Sequence, residues 1–306
     1  VPAPHSQRRE WILLRESSLV KRCATFLAFN GLSLFAFLSV LIIPFAYGLI
    51  LTFTDWNAIS DTFQFIGLTN YATVFADKEF VRQFLITIRY VVISAVLVNV
   101  FAFTIAYFLT SGMRGQNFLR GGFFVPNLIG GIILGYIWKF IFANVLTQLG
   151  KGFDIPWLKT SFLTNPDRAI WAMIIVTVWQ YAGYLMMIYI AGFVGIPRDV
   201  QEAADIDGAH GLRKLRSVTI PLMLPSFNIC IFITMSRCFM AYDLNLALTN
   251  GGPYGSTQLA AMHVYQKAFM SKQFGVGQAE AIVLFVVVAL ISVTQVLLNK
   301  KREVEV

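Results

Sequence analysis

The polar side chains set inside apolar runs carry the chemistry open to this sequence. In "WQYAGYLMM", Gln180 and Tyr184 stand four residues apart on one helical face, with Tyr181 beside them. An amide next to aromatic rings suits sugar hydroxyls and the apolar faces of pyranose rings. Bundle packing with bonded hydroxyls accounts for the tyrosines equally well. Thr234, Arg237, Cys238 and Ala241 recur at three- and four-residue steps and share a second face. These seven residues form the candidate substrate-binding set. Arg237 can meet an acidic group on a substrate, Asp243, or an acid on a partner subunit, and a structural pair is the favoured reading. Arg89, Lys139, Asn228 and Glu280 also interrupt apolar runs. Arg89, Asp243 and Glu280 lie near span ends, where a long or charged side chain reaches headgroups or an outer vestibule. Asn228 reads as a bond to a neighbouring helix.

Catalytic chemistry is not indicated. His5 and His210 fall outside the apolar runs and His263 in an outer loop, with no His/Asp/Glu cluster of catalytic or metal spacing within the spans. Cys23, Cys230 and Cys238 have no ligand spacing and read as small hydrophobes. No G-x-x-x-x-G-K-[ST] loop is present, so any ATP energy comes from separate subunits. The expectation is no catalytic residue, metal or cofactor in this chain.

The elements that position these residues follow from composition. Of 306 residues, 57% are hydrophobic and 13% charged, against about 25% charged in soluble domains. A transmembrane helix needs about 20 apolar residues. Six runs qualify, at about 24–51, 84–110, 121–142, 169–193, 221–243 and 279–298. The first is too long for a signal-peptide core. The fold class is therefore all-α membrane protein, with a permease domain over 24–299 between tails at 1–23 and 300–306. One set of flanks (both tails, 111–120 and 194–219) holds fourteen Lys and Arg, and the other holds seven. That bias puts both termini in the cytoplasm. The net charge of +8 sits at the ends of apolar runs and forms no stripe, so nucleic acid is not an expected partner. Glycines at 121, 122, 130, 131, 135, 183 and 192 favour close helix packing in a bundle.

One charged stretch breaks the apolar chain between the fourth and fifth spans: "EAADIDGAHGLRKLRSVTIPLMLP". Pro197, Asp199 and Glu202 suit the first turns of a helix. Gly208 accepts the left-handed conformation and makes a turn. Leu212, Leu215 and Val218 then form an apolar face, with Arg213, Lys214 and Arg216 turned away. A helix-turn-helix over about 196–220 results. Anionic lipid suits its basic half, but an acidic, alanine-faced helix fits a protein groove better.

"EAADIDGA" followed by "TIPLMLP" resembles the EAA loop of permease subunits in binding-protein-dependent ABC importers. The preceding "IPRDVQ", the outer "TNGGP" (Thr249–Pro253) and "YIWKFIF" resemble the carbohydrate branch, which includes the maltose and glycerol-phosphate importers. The resemblance covers about residues 24–299. It implies an ATPase-coupling loop of Glu202, Ala203, Ala204, Asp207, Gly208 and Ala209, whose helix enters a cleft on an ATPase. Leu215 stands where that family often has Phe. The resemblance also implies a heterodimeric channel made with a second, similar permease subunit. Two ATP-binding cassette ATPases carrying ATP–Mg and an extracytoplasmic solute-binding protein complete the assembly, in a bacterial or archaeal inner membrane. The stretches around Gln180–Tyr184 and Thr234–Ala241 would line the sugar site. The alternative is an ion-coupled secondary transporter of a small polar solute, which predicts repeats with broken helices. No convincing repeat is present, and six spans are few for one.

Overall fold

A computed structural model describes residues 19–57, 59, 60 and 62–300, and the basic residues up to Arg15 and beyond Lys300 lie outside them. Twelve helical elements are used below. They are α1 (Ala24–Leu51), α2 (Thr69–Ala76), α3 (Lys78–Leu109), α4 (Gln116–Phe124), α5 (Gly131–Gly152) and α6 (Pro166–Val194). After them come α7 (Arg198–Ile206), α8 (Gly211–Leu222), α9 (Leu224–Phe239), α10 (Asp243–Leu248), α11 (Ala260–Tyr265) and α12 (Phe274–Lys300). Among the described residues, α1, α3, α5, α6 and α12 are long and apolar enough to cross a membrane, and α8 with α9 forms a sixth, bent candidate.

The long helices begin earlier than their apolar runs. Asp77 caps α3, its carboxylate accepting from the Glu79 and Phe80 amides, and Asn165 caps α6 through the Asp167 and Arg168 amides. Side-chain oxygens at these positions satisfy N–H groups that have no partner inside the helix. Both caps therefore carry the helices past the apolar stretch.

Two spans depart from the sequence expectation. The run at 121–142 is not one helix. α4 ends at Phe124, a 3₁₀ turn covers Val125–Leu128, and α5 restarts at Gly131 and continues to Gly152. Pro126 withholds an amide, and Gly130 is extended at φ −61°, ψ 143°. The fifth span is bent by 71° between α8 and α9. Met223 sits at the bend, and Pro225 in the next turn cannot donate a hydrogen bond back across it. α9 alone has 16 residues, or about 24 Å at 1.5 Å per residue. That falls short of a hydrocarbon core of about 30 Å.

α6 is the interior helix, with 61% of its apolar window buried against 6% for α1 and 6% for α12. It packs on α3, α4 and α9. One core joins α3, α5, α6, α9 and α10 around Tyr90, Met173 and Phe239, and a second joins α3, α6 and α9 around Tyr189, Met186 and Cys230. A buried polar network pins the second. Tyr189 Oη donates to Asn99 Oδ1 at 2.7 Å, and Asn99 Nδ2 donates to Thr234 Oγ1 at 3.2 Å. Thr234 itself donates to the Cys230 carbonyl. In a membrane bundle such a satisfied network fixes helix register at modest cost.

The glycines sort by what faces them. Gly121, Gly122 and Gly130 have nothing within 4 Å of a built Cβ. A Cβ on Gly131 would stand 2.9 Å from that of Asp243, and Gly135 meets Ala247 in the same way. These two let α10 lie against α5. Gly183 faces the Phe123 carbonyl and Gly192 faces Ser226, where α6 meets α4 and α9.

Candidate functional site

The break before α5 organises the first site. Unpaired backbone in a membrane bundle is tolerated only where protein or water satisfies it. Here Gln180 Nε2, on buried α6, donates to the Ile129 carbonyl at 3.1 Å. Asn127, on the 3₁₀ turn, accepts from Arg237 Nη1 at 2.8 Å. The Arg237 guanidinium carbon lies 5.1 Å from the Tyr181 ring centre and 4.9 Å from that of Tyr184. Each such contact contributes about 0.5–2 kcal/mol, more where water is excluded. The guanidinium is thus held between two π faces and an amide oxygen. Among the described residues no carboxylate within 4 Å pairs with it, so the structural partner of Arg237 is Asn127 rather than Asp243.

A cavity of about 190 Å³ opens beside this cluster. Gln180, Tyr181, Arg237 and Ala241 line it, together with Tyr90 and Asp243. Tyr184 borders it through Arg237. Thr234 and Cys238 do not contribute: both are fully buried, Thr234 in the Asn99 network and Cys238 in the first core, beside Tyr90 and Phe239. Three- and four-residue steps place residues on one face of a helix, but a wide face spans both a cavity and a core. The sequence reading missed Asn99 and Asn127. Both lie inside apolar runs, at 84–110 and 121–142, and the signal that singled out Gln180 and Asn228 could have found them.

The second site is the loop after α6. Pro197 precedes α7, and Asp199 lies in its first turn. Gly208 has φ +74°, and the Ala209 amide returns to the Ala204 carbonyl at 2.9 Å, closing the helix end. Across the turn, Lys214 Nζ donates to both oxygens of Asp205, at 2.8 and 2.9 Å. The Lys214 hydrogen bond holds the Asp205 carboxyl below its ordinary value of 3.8, outweighing the opposing effect of burial. The pair's contribution is present above that ordinary value and lost as pH falls through the depressed one. Lys214 therefore turns inward, not away as the sequence suggested. Leu212, at 83% exposure, leaves the expected apolar face, while Leu215 and Val218 stay half-buried. Glu202, Ala203, Asp207 and Ile206 are exposed, Ala204 is buried, and Ala209 is half-buried. Glu202 thus stands one turn from the exposed apolar side chain of Ile206 on α7. Behind the loop, a cavity of about 580 Å³ reaches the ends of α3 and α6 at Thr110 and Phe193.

A third cluster runs against the sequence reading. Glu280 is fully buried, not at a headgroup surface, and His263 Nε2 lies 3.3 Å from its Oε1. Asp77 completes a group of three potential ligands. These residues come from three helices or their caps, so no spacing in the sequence could reveal them.

Residues 98–304 match the family described as binding-protein-dependent transport system inner membrane component. The chain is 40% identical, over 96% of its length and 100% of the relative's, to a probable starch degradation products transport system permease protein of Thermoanaerobacterium thermosulfurigenes. It is 33% identical, over 85% of its length and 90% of the relative's, to a multiple sugar-binding transport system permease protein of Streptococcus mutans. In fold it matches a chain of a bacterial ABC transporter involved in the import of the acidic polysaccharide alginate. The TM-score is 0.79 at 18% identity, covering 92% of this chain and 97% of the other. With two-thirds of its length matched and relatives aligned nearly end to end, this multi-pass membrane chain belongs to the binding-protein-dependent transport system inner membrane component family.

Proposed function

We propose that this chain is a membrane-spanning subunit of an ATP-driven importer for a carbohydrate. It is a permease subunit, not an enzyme, and ATP is hydrolysed on separate subunits. The carbohydrate reading rests on the relatives, which are named for starch degradation products and multiple sugars. It pairs with a second, similar permease subunit, two ATPases carrying ATP–Mg, and an extracytoplasmic solute-binding protein. Both termini face the cytoplasm, following the Lys and Arg bias of the flanks.

The observation that carries the mechanism is the continuity from α7 to α9. An exposed helix bearing Glu202, Ala203 and Ile206 is clamped by the Asp205–Lys214 pair to α8, which bends directly into α9. α9 carries Arg237 at its far end. In this reading α7 and the Gly208 turn, through Ala209, sit in a groove on one ATPase. Ala203 permits close approach there, Ala204 packs the helix back on this chain, and Glu202 and Asp207 meet basic groups. When the ATPases close, α7 and α8 move as a unit, and the 71° elbow converts that movement into a tilt of α9. Arg237 and Ala241 then shift relative to Gln180 and Tyr181, so the same movement that opens the channel reshapes the sugar site.

The cavity holds one arginine, one aspartate, an amide and tyrosine hydroxyls. That mixture suits recognition of sugar hydroxyls. Arg237→Ala is expected to raise the KM for uptake about tenfold, the equivalent of roughly 1.4 kcal/mol, with ATPase assembly unchanged. Cys238→Ser, outside the cavity, is expected to leave KM within about twofold. Uptake kinetics in proteoliposomes check both. An unchanged KM for Arg237→Ala would remove this cavity from the sugar path.

A further inference from the structure

At the opposite end of α3 from the coupling loop, a buried cluster has no place in the transport mechanism above. Glu280 lies in the second turn of α12, fully buried, and neither carboxylate oxygen has a hydrogen-bond partner. His263, on α11, is also buried, and its Nε2 has no aligned partner although Glu280 Oε1 is only 3.3 Å away. The Phe80 ring packs on the imidazole at 5.9 Å between centres. Asp77, the cap of α3, commits Oδ1 to the Glu79 and Phe80 amides. Its Oδ2 accepts from Lys267 Nζ at 2.8 Å. One donor atom each from Asp77, His263 and Glu280 lies within 4.8 Å of the others.

Buried carboxylates persist when they are paired or when they coordinate a cation. Glu280 has neither a hydrogen-bond donor nor solvent. Lys267 pairs with Asp77, so the buried Glu280 has only the unaligned His263 ring nitrogen beside it. We infer that Asp77, His263 and Glu280 form a binding site for a borderline divalent cation of the zinc type. Ligands at about 2.0–2.2 Å in tetrahedral array stand roughly 3.3–3.5 Å apart, and the His263–Glu280 separation is 3.3 Å. A ring nitrogen and a carboxylate oxygen at that separation, with no hydrogen bond between them, are suited to a common third atom. An imidazole nitrogen with two carboxylates favours zinc over calcium or magnesium, which take oxygen ligands. Asp77 joins by turning Oδ2 away from Lys267, whose ammonium competes with the cation for that oxygen. The bound ion would tie α11 and the starts of α3 and α12 together.

The test uses the assembled importer in detergent, stripped with chelator, desalted, and titrated with zinc chloride. Bound metal is counted by mass spectrometry and affinity is read by calorimetry. Wild type is expected to retain about one zinc per copy of this chain more than Glu280→Gln, and His263→Gln to weaken zinc by at least about tenfold. Lys267→Met is expected to tighten zinc, because it removes a competing cation. A role limited to packing or to an imidazolium–carboxylate pair would not predict that gain. Zinc should raise the melting temperature of the wild-type complex, and chelator should reverse the rise, which keeps the test open if a variant fails to fold. Equal zinc content in wild type and Glu280→Gln, no zinc-dependent melting shift in wild type, or weaker zinc binding in Lys267→Met would overturn the assignment.

Discussion

Glu202→Lys is expected to abolish ATP-driven uptake while the protein still inserts in the membrane at normal abundance. Glu202 is exposed on α7, one turn from exposed Ile206. Reversing its charge leaves the folded chain nearly untouched, since surface changes away from special features cost within about 0.5 kcal/mol. In the proposed assembly the same change places a cation against a basic groove. Losing one partner of a buried, bonded charge pair costs about 2–5 kcal/mol in binding, or roughly thirty- to several-thousand-fold. The ATPase should therefore fail to co-purify with this chain. Gly208→Val should give a related but separable result. At φ +74° with nothing within 4 Å, the obstacle is backbone strain, not space. Left-handed backbone costs an ordinary residue about 1–2 kcal/mol, and a β-branched one more. The turn is expected to relax and misalign α7 relative to α8, so the ATPase still binds but ATP hydrolysis uncouples from uptake. Normal transport with normal ATPase association in both variants would defeat the docking account.

The second large effect is predicted at Gly183. A Cβ there overlaps the Phe123 carbonyl and approaches the Phe124 amide at 3.0 Å. Both contacts are backbone at the end of α4, just before the break that holds Asn127. Backbone cannot rotate aside as a side-chain tip can. Gly183→Val is expected to cost at least the upper part of the 1–3 kcal/mol (about) seen for overpacked cores. It should also drive α4 from α6, removing the Gln180 bond to Ile129 and the Arg237 bond to Asn127. Membrane abundance and melting temperature should both fall sharply. Gly122→Ala, with nothing within 4 Å, is the matched control and should stay near wild type. Equal stability of the two variants would contradict the packing assigned to α4.

Much of this architecture is legible in the chain, and the exceptions have physical causes. The turn at Gly208 is readable because its signals are local: a proline, an early acid, a glycine and a change of charge sign within twenty residues. The apolar runs reveal the membrane helices because lipid demands length and composition. They do not reveal where a helix breaks. A hydropathy window averages across Val125–Gly130, which is as apolar as its flanks, although Pro126 and Gly130 were visible as breakers. The bend at Met223 was likewise signalled by Pro221 and Pro225, which read as an entry to the span and prove to flank an elbow of 71°. The candidate cavity is partly legible: Gln180, Tyr181, Arg237 and Ala241 line it, while Thr234 and Cys238 turn into the core. Lys214 shows the limit of a periodic reading, since an acid nine residues earlier draws a basic side chain inward. His263 and Glu280 lie seventeen residues apart on separate helices, and only their packing brings them together.

Uptake into proteoliposomes of the labelled carbohydrate that the solute-binding protein captures most directly tests whether this chain transmits the work of a separate ATPase. The chain is reconstituted with its partner permease and binding protein, with and without the ATPase subunits, under ATP or under a proton or sodium gradient. The account predicts uptake only when ATPase and ATP are both present, and its loss in Glu202→Lys. Uptake driven by an ion gradient without the ATPase subunits would contradict it.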